Sequence, residues 1–157
     1  MYIDAFAEQI EYGNNKWVKR FLEMAILVSS WSKQESTKVG CVIVDSKNRV
    51  ISVGYNGYAK GVSDSYNVSR EEKLRRTIHA EENAILFANR SLEGTVVYVT
   101  HHPCASCTAK LIQVGVSKVF YLKAASGFEE RWKDDINSSE EMIKESTIIL
   151  HEVILEG

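Results

Sequence analysis

Cys104 and Cys107 stand three residues apart directly after Pro103, and on one helical turn that spacing turns both sulfurs to the same face. Proline suits the first turn of a helix, and the dipole of a helix start favours thiolate over thiol. Taken alone, such a pair is equally a redox couple or two packed thiols. His79 breaks the tie, because it also falls at an expected helix start with one strand between the two helices. Helices that leave neighbouring strands at one sheet edge bring their first turns together, where open α/β sheets place their sites. His79, Cys104 and Cys107 then make a three-donor site, which leaves the fourth tetrahedral position of a zinc ion to water, the mark of a catalytic ion. His101 or His102, at the preceding strand end, would close the site if either supplied a fourth ligand.

Glu81 supplies what such a site needs next. Two thiolates and a neutral imidazole offset the charge of the zinc and leave a weaker Lewis acid than an all-histidine site, so an adjacent base is required. A carboxylate can take a proton from water and hand it on, acting as general base and general acid in one group. Residues two apart on a regular helix face nearly opposite ways. His79 is therefore expected at the helix entrance, outside the regular spiral, so that Glu81 can face the same water. Glu82 reads as a solvated acid favouring the helix N-terminus.

The elements that must position these residues come from one chain of 157 residues, expected to form a single domain over 1–157 that buries roughly two thirds of its unfolded surface. Hydrophobic residues at 45% and charged residues at 25% are ordinary soluble usage. Met1 to Gln9 carries acids and no long apolar core, and nowhere do about 18 apolar residues run together, so a cytoplasmic address and no membrane partner are expected. Three cysteines, an odd number, fit reduced thiols better than a disulfide framework. A net charge of −2 favours a small-molecule substrate over a nucleic-acid polymer, whose binders gather Lys and Arg. The basic stretch Arg70 to Arg76 contains Glu71 and Glu72.

Trp17, Phe21, Met24, Val28 and Trp31 recur at helical steps between charged residues and predict a helix over about Asn14 to Ser30. Val39 to Asp45 and Arg49 to Tyr55 read as a hairpin across Ser46-Lys47-Asn48. Gly54 to Arg76 is a long polar connection of the kind that binds ligands. A helix at Ile78 to Asn89, a strand at Thr95 to Thr100, a helix at Cys104 to Val114 and a strand at Lys118 to Leu122 follow, with Gly94 and Gly115 at the helix exits. Ser138 to Glu141 is a capping box opening a last helix to about Glu145, and Thr147 to Leu155 is a last strand. Alternation after residue 78 implies parallel pairing, and the expected fold is α/β: a three-layer α/β/α sandwich around a mixed five-stranded sheet.

His79-Ala80-Glu81 with Pro103-Cys104-Ala105-Ser106-Cys107 is the His-x-Glu and Pro-Cys-x-x-Cys signature of zinc nucleobase deaminases. Together with Ser36-Thr37-Lys38-Val39-Gly40, Gly54-Tyr55-Asn56-Gly57 and the run from His79 to Leu86, it makes residues 20–123 resemble the deoxycytidylate (dCMP) deaminase branch of the cytidine and deoxycytidylate deaminase superfamily. The resemblance implies one Zn2+ per chain on His79, Cys104 and Cys107. It implies attack of activated water on C4 of cytosine, and Glu81 delivering protons to N3 and to the leaving amine, with dUMP and ammonia as products. It further implies that Asn56, which the Asn-Gly pair alone also reads as a turn residue, meets the sugar and that the backbone amide of Ala80 meets the base. For the phosphate the candidates are Lys38, Ser36 and Thr37, and Tyr121 is a candidate for packing on the base or ribose, with packing in the core as the equal alternative.

Regulation is implied in the same way: activation by dCTP and inhibition by dTTP, with Mg2+, at a segment comprising Gly54, Tyr55, Asn56 and Gly57 in a homo-oligomer, a hexamer by resemblance. Cys41, on an apolar strand, reads as a core thiol. A dCTP deaminase, or a deaminase of tRNA adenosine, guanine or free cytidine, would use the same zinc core. A non-enzymatic zinc or redox module is the reading from another class.

Overall fold

The N-terminal helix forms because Val18, Phe21, Leu22, Ala25 and Val28 recur at three- and four-residue steps and are buried together. In the computed structural model, which describes residues 2–4, 12–64, 68–124 and 127–155, this is α1, Tyr12–Ser29. Trp31, counted in the expected stripe, falls beyond the helix end and is 51% exposed. Most of the N-terminal stretch from Met1 to Gln9 lies outside the described residues.

Helix α1 covers one face of a sheet containing β2 (Gly40–Val44), β3 (Val50–Tyr55), β6 (Val96–Val99), β7 (Lys118–Leu122) and β8 (Ile149–Leu155), the five expected strands. Tyr2–Asp4 adds a short β1 on the far edge, antiparallel to β8, giving the order β1-β8-β7-β6-β2-β3. Three residues are too few to show an alternating pattern in sequence. β2 pairs antiparallel with both β3 and β6, while β6–β7 and β7–β8 are parallel, so the sheet is mixed as expected.

Strand alternation divides the core in two. Val42, Val44, Tyr98 and Phe120 face α1. Cys41, Ile43, Val97, Val99 and Val119 face the opposite layer, which contains α3, Ala80–Ala88, and α4, Ala105–Gln113. Cys41 is a fully buried thiol whose pKa is pushed up by burial, in keeping with a core role.

Three local expectations are corrected. The Gly54 to Arg76 connection is not a bare loop: it contains β4 (Gly57–Tyr58) and α2 (Arg70–Arg76), and β4 pairs with β5 (Thr77–Ile78) in a separate two-stranded ribbon. Helix α3 ends at Asn89 as expected, but Asn89 itself, left-handed, makes the exit in place of Gly94, whereas Gly115, with φ +86°, does follow α4. The capping box at Ser138 opens no helix. The chain is already helical in α5 (Phe128–Arg131) and α6 (Lys133–Glu145), so Ser138 and Glu141 lie inside α6, where the same three-residue spacing simply recurs.

Candidate active site

His79 and Cys104 are the N-cap residues of α3 and α4, both with extended backbone (φ −72°, ψ 158° and φ −69°, ψ 168°). His79 thus sits outside the regular spiral, which frees Glu81 on the first turn of α3 to share its surroundings. The parallel β6–β7 pairing and the strand between the helices bring the two helix starts together. Nδ1 of His79 lies 3.3 Å from Sγ of Cys104 and 3.3 Å from Sγ of Cys107. All three donor atoms fall within 4.8 Å of one another, and among the described residues this is the His/Cys/Asp/Glu group with the geometry to hold a metal ion.

Cys104 is pulled down to about 4, chiefly by the hydrogen bond from the Cys107 thiol, and the His79 bond adds to this. His79 is raised to about 9 by its bond to Cys104, and Cys107 is raised by its bond to Cys104 and by burial. The backbone N–H of Cys107 also points at Sγ of Cys104, at 3.4 Å. These donors fit zinc: Zn–S of about 2.3 Å and Zn–N of about 2.0–2.1 Å in a tetrahedron set sulfur and nitrogen about 3.5 Å apart. His101 and His102 stand outside the group. His101 bonds Thr100 Oγ1 at 2.8 Å and packs on Phe128, and His102 bonds the Pro103 carbonyl at 2.9 Å.

Glu81 is 4% exposed, and burial raises its carboxyl to about 7, close to where a group that both takes and gives protons works best. It opens, with His79, Ala80 and Cys104, onto a cavity of about 840 Å³, a size that admits a drug-sized ligand. Ala80 is the first residue of α3, so its N–H has no partner within the helix.

Asn56 lines the cavity, but both ends of its amide hold the strand entrance: Oδ1 accepts from Val39 N at 2.9 Å and Nδ2 donates to the Thr37 carbonyl at 2.8 Å. Its backbone is not left-handed, so the turn role open to an Asn-Gly pair is not the one it plays. Ser36 and Thr37 line the rim, whereas Lys38 is exposed and outside the lining. Tyr121 is 3% exposed, against the His102 ring at 4.7 Å, and is not in the cavity wall. Gly54, Tyr55 and Gly57 are likewise not lining residues.

Arg70, Lys73 and Arg131 do line the cavity, and among the described residues none of them is in an ion pair, while Lys33 on the same wall is paired with Asp64 at 3.3 Å. The sequence reading passed over these three cations. Arg70 and Lys73 sit three apart on α2, where Glu72 is engaged by Arg75 and Arg76 at 3.0 Å each. That helical spacing was the available signal.

Residues 15–123 match the sequence profile of the cytidine and deoxycytidylate deaminase zinc-binding region. The chain belongs to the cytidine and deoxycytidylate deaminase family. This deaminase is 52% identical over 135 residues to an uncharacterized deaminase in the luxG 3′ region of Aliivibrio fischeri, covering 85% of this chain and 91% of that one. It is 40% identical to a probable deoxycytidylate deaminase of Drosophila melanogaster, across 68% of this chain and 59% of the relative, so it spans about three fifths of that protein's length. Its fold matches the dCMP deaminase of cyanophage S-TIM5, solved in complex with dCMP and dUMP, with a TM-score of 0.72 at 22% identity, over 92% of this chain and 99% of the other. The family's zinc-binding region and the His79, Cys104 and Cys107 donors agree on Zn2+ as the metal. Among the described residues, no helix is long and apolar enough to cross a membrane.

Proposed function

We propose that this deaminase converts dCMP to dUMP and ammonia. The observation that carries the reading is one cavity lined by a buried carboxyl, by His79 and Cys104 of the His/Cys/Cys donor group and by three cations that pair with no acid among the described residues. Zinc, when bound by His79, Cys104 and Cys107, supplies a Lewis acid that activates water for attack on C4. Glu81 takes the proton released by that water and returns protons to N3 and to the departing amine. The Ala80 N–H holds the base, and Asn56, fixed by Val39 and Thr37, stands at the sugar. Ser36 and Thr37 are rim hydroxyls near the phosphate. Arg70, Lys73 and Arg131 replace Lys38 as the cations for it, since charge-assisted bonds to a phosphate are the stronger ones. The relatives named for deoxycytidylate support a monophosphate over dCTP.

Activation by dCTP and inhibition by dTTP, with Mg2+, belong to the same proposal. Tyr55 is 41% exposed and meets Trp31 edge-on at 6.2 Å, away from the cavity, while the adjoining Asn56 faces inward. An effector on the Gly54–Gly57 segment would thus act one residue from the sugar contact. The exposed apolar side chains of Leu27, Trp31, Leu86 and Phe87 favour a homo-oligomer.

Ammonia release from dCMP, dCTP, deoxycytidine and adenosine, with and without dTTP, tests the reading. dCMP should be the preferred substrate, and Arg70→Ala should raise its KM about tenfold or more, the value of one charged hydrogen bond, while leaving deoxycytidine unchanged. Turnover of adenosine but of no cytosine nucleotide would reject it.

A further inference from the structure

Helix α6 contributes one fully buried residue, and it is a serine: Ser139 is 0% exposed. An apolar side chain would ordinarily occupy the innermost position of an amphipathic helix. Here the Ser139 hydroxyl lies 3.1 Å from the carbonyl of Pro103 and bonds the hydroxyl of Thr108 on α4, itself 3.5 Å from the same carbonyl. Pro103 precedes the N-cap, so its carbonyl lies outside the α4 ladder, whose first bond runs from Thr108 N to the Cys104 carbonyl at 2.8 Å. One turn earlier on α6, Asp135 Oδ2 accepts the backbone N–H of Ala105 at 2.9 Å, one of the N–H groups that a helix start leaves without an internal partner. Glu140 Oε1 lies 3.4 Å from Nε2 of His102, whose Nδ1 bonds the Pro103 carbonyl. Residues 135 and 139 lie one turn apart on the same face of α6 and 140 lies on the flank beside them, and their contacts bracket Cys104 on both sides.

We propose that Asp135 and Ser139 of α6 are positioning residues for the zinc site: they fix the Pro103–Cys107 turn so that both sulfurs converge on His79. The inference rests on the zinc reading above and extends it to a helix that carries no ligand. Asp135 acts on Ala105, and through it sets the direction of the Cys104 side chain. Ser139 acts on Pro103, and thereby fixes where α4 begins. Outer-shell partners of this kind typically change metal affinity 10–100-fold when removed.

The test is zinc competition against a chromophoric chelator for the wild type, Asp135→Ala, Asp135→Asn, Ser139→Ala and, as a control on the same turn, Asp134→Ala. The visible spectra of the cobalt-substituted proteins are compared in parallel. Asp135→Ala and Ser139→Ala are expected to weaken zinc about tenfold or more and to shift the cobalt bands. Asp135→Asn, which keeps an acceptor oxygen for Ala105 N–H, should restore both, and Asp134→Ala should match the wild type. Ser139→Ala removes a single hydroxyl and decides the matter even where Asp135→Ala does not fold. Wild-type affinity and spectrum in Ser139→Ala and Asp135→Ala would overturn the proposal. A wild-type chain that takes up no zinc would instead defeat the zinc reading itself.

Discussion

Cys104 and Cys107 are alike in sequence and unlike in place. Cys104 is half-buried at the N-cap, where its bonds pull its pKa down, while Cys107 is buried inside the first turn, where its pKa is raised. Both sulfurs reach His79 at the same distance, so neither is dispensable to a three-ligand site. Cys104→Ala should therefore lower zinc content from one ion per chain to well below a tenth at micromolar metal, read by atomic absorption after dialysis, since an aqueous two-ligand remnant gives up much of the chelate. Full zinc occupancy in that variant would show that the ligands lie elsewhere. These four residues, His79, Glu81, Cys104 and Cys107, were readable in the sequence because ligand chemistry imposes short fixed spacings within each helix start. Asn56 was readable only as a candidate, since the sequence does not reveal that its amide is already engaged by Thr37 and Val39.

Among the elements, α3 is the one whose placement matters most, because it carries His79 and Glu81 together. It lies directly on β3: a Cβ at Gly54 would run into the Ala80 carbonyl and the backbone of Ala84. Gly54 entered the sequence reading as part of a regulatory segment, whereas its position makes it the seat of α3. Gly54→Ala should overpack this contact by about 2 kcal/mol and lower the thermal midpoint by roughly 4–8 °C for a domain of this size. A differential scan measures it, and an unchanged midpoint would mean that α3 can move aside freely. The order and type of α1, α3, α4 and the five longer strands were legible because their periodicities are strong, whereas the short helices α2 and α5 were not foreseen. The ribbon of β4 and β5 was not, since two-residue strands carry no period, and the start of α6 was misplaced because a Ser-x-x-Glu spacing marks a helix interior as readily as its start.

The whole molecule gathers its cations from distant segments. Arg70 and Lys73 come from α2 and Arg131 from α5, and they meet only because the chain folds both over the edge of the sheet that carries His79 and Cys104. No local motif could announce that convergence, which is why the sequence reading named Lys38 and none of these three cations as a phosphate candidate. The net charge of −2 hides the same feature by averaging over the surface. The proposed function turns on zinc-supported proton shuttling by Glu81 at C4 of a cytosine nucleotide. Ammonia release from dCMP by zinc-loaded wild type, set beside Glu81→Gln carrying the same zinc, tests it most directly. The wild type should release ammonia and dUMP in equal amounts, and the variant should bind zinc as tightly yet turn over at least about 10³-fold more slowly, within the range of general acid–base catalysis. Equal rates in the two proteins would contradict it.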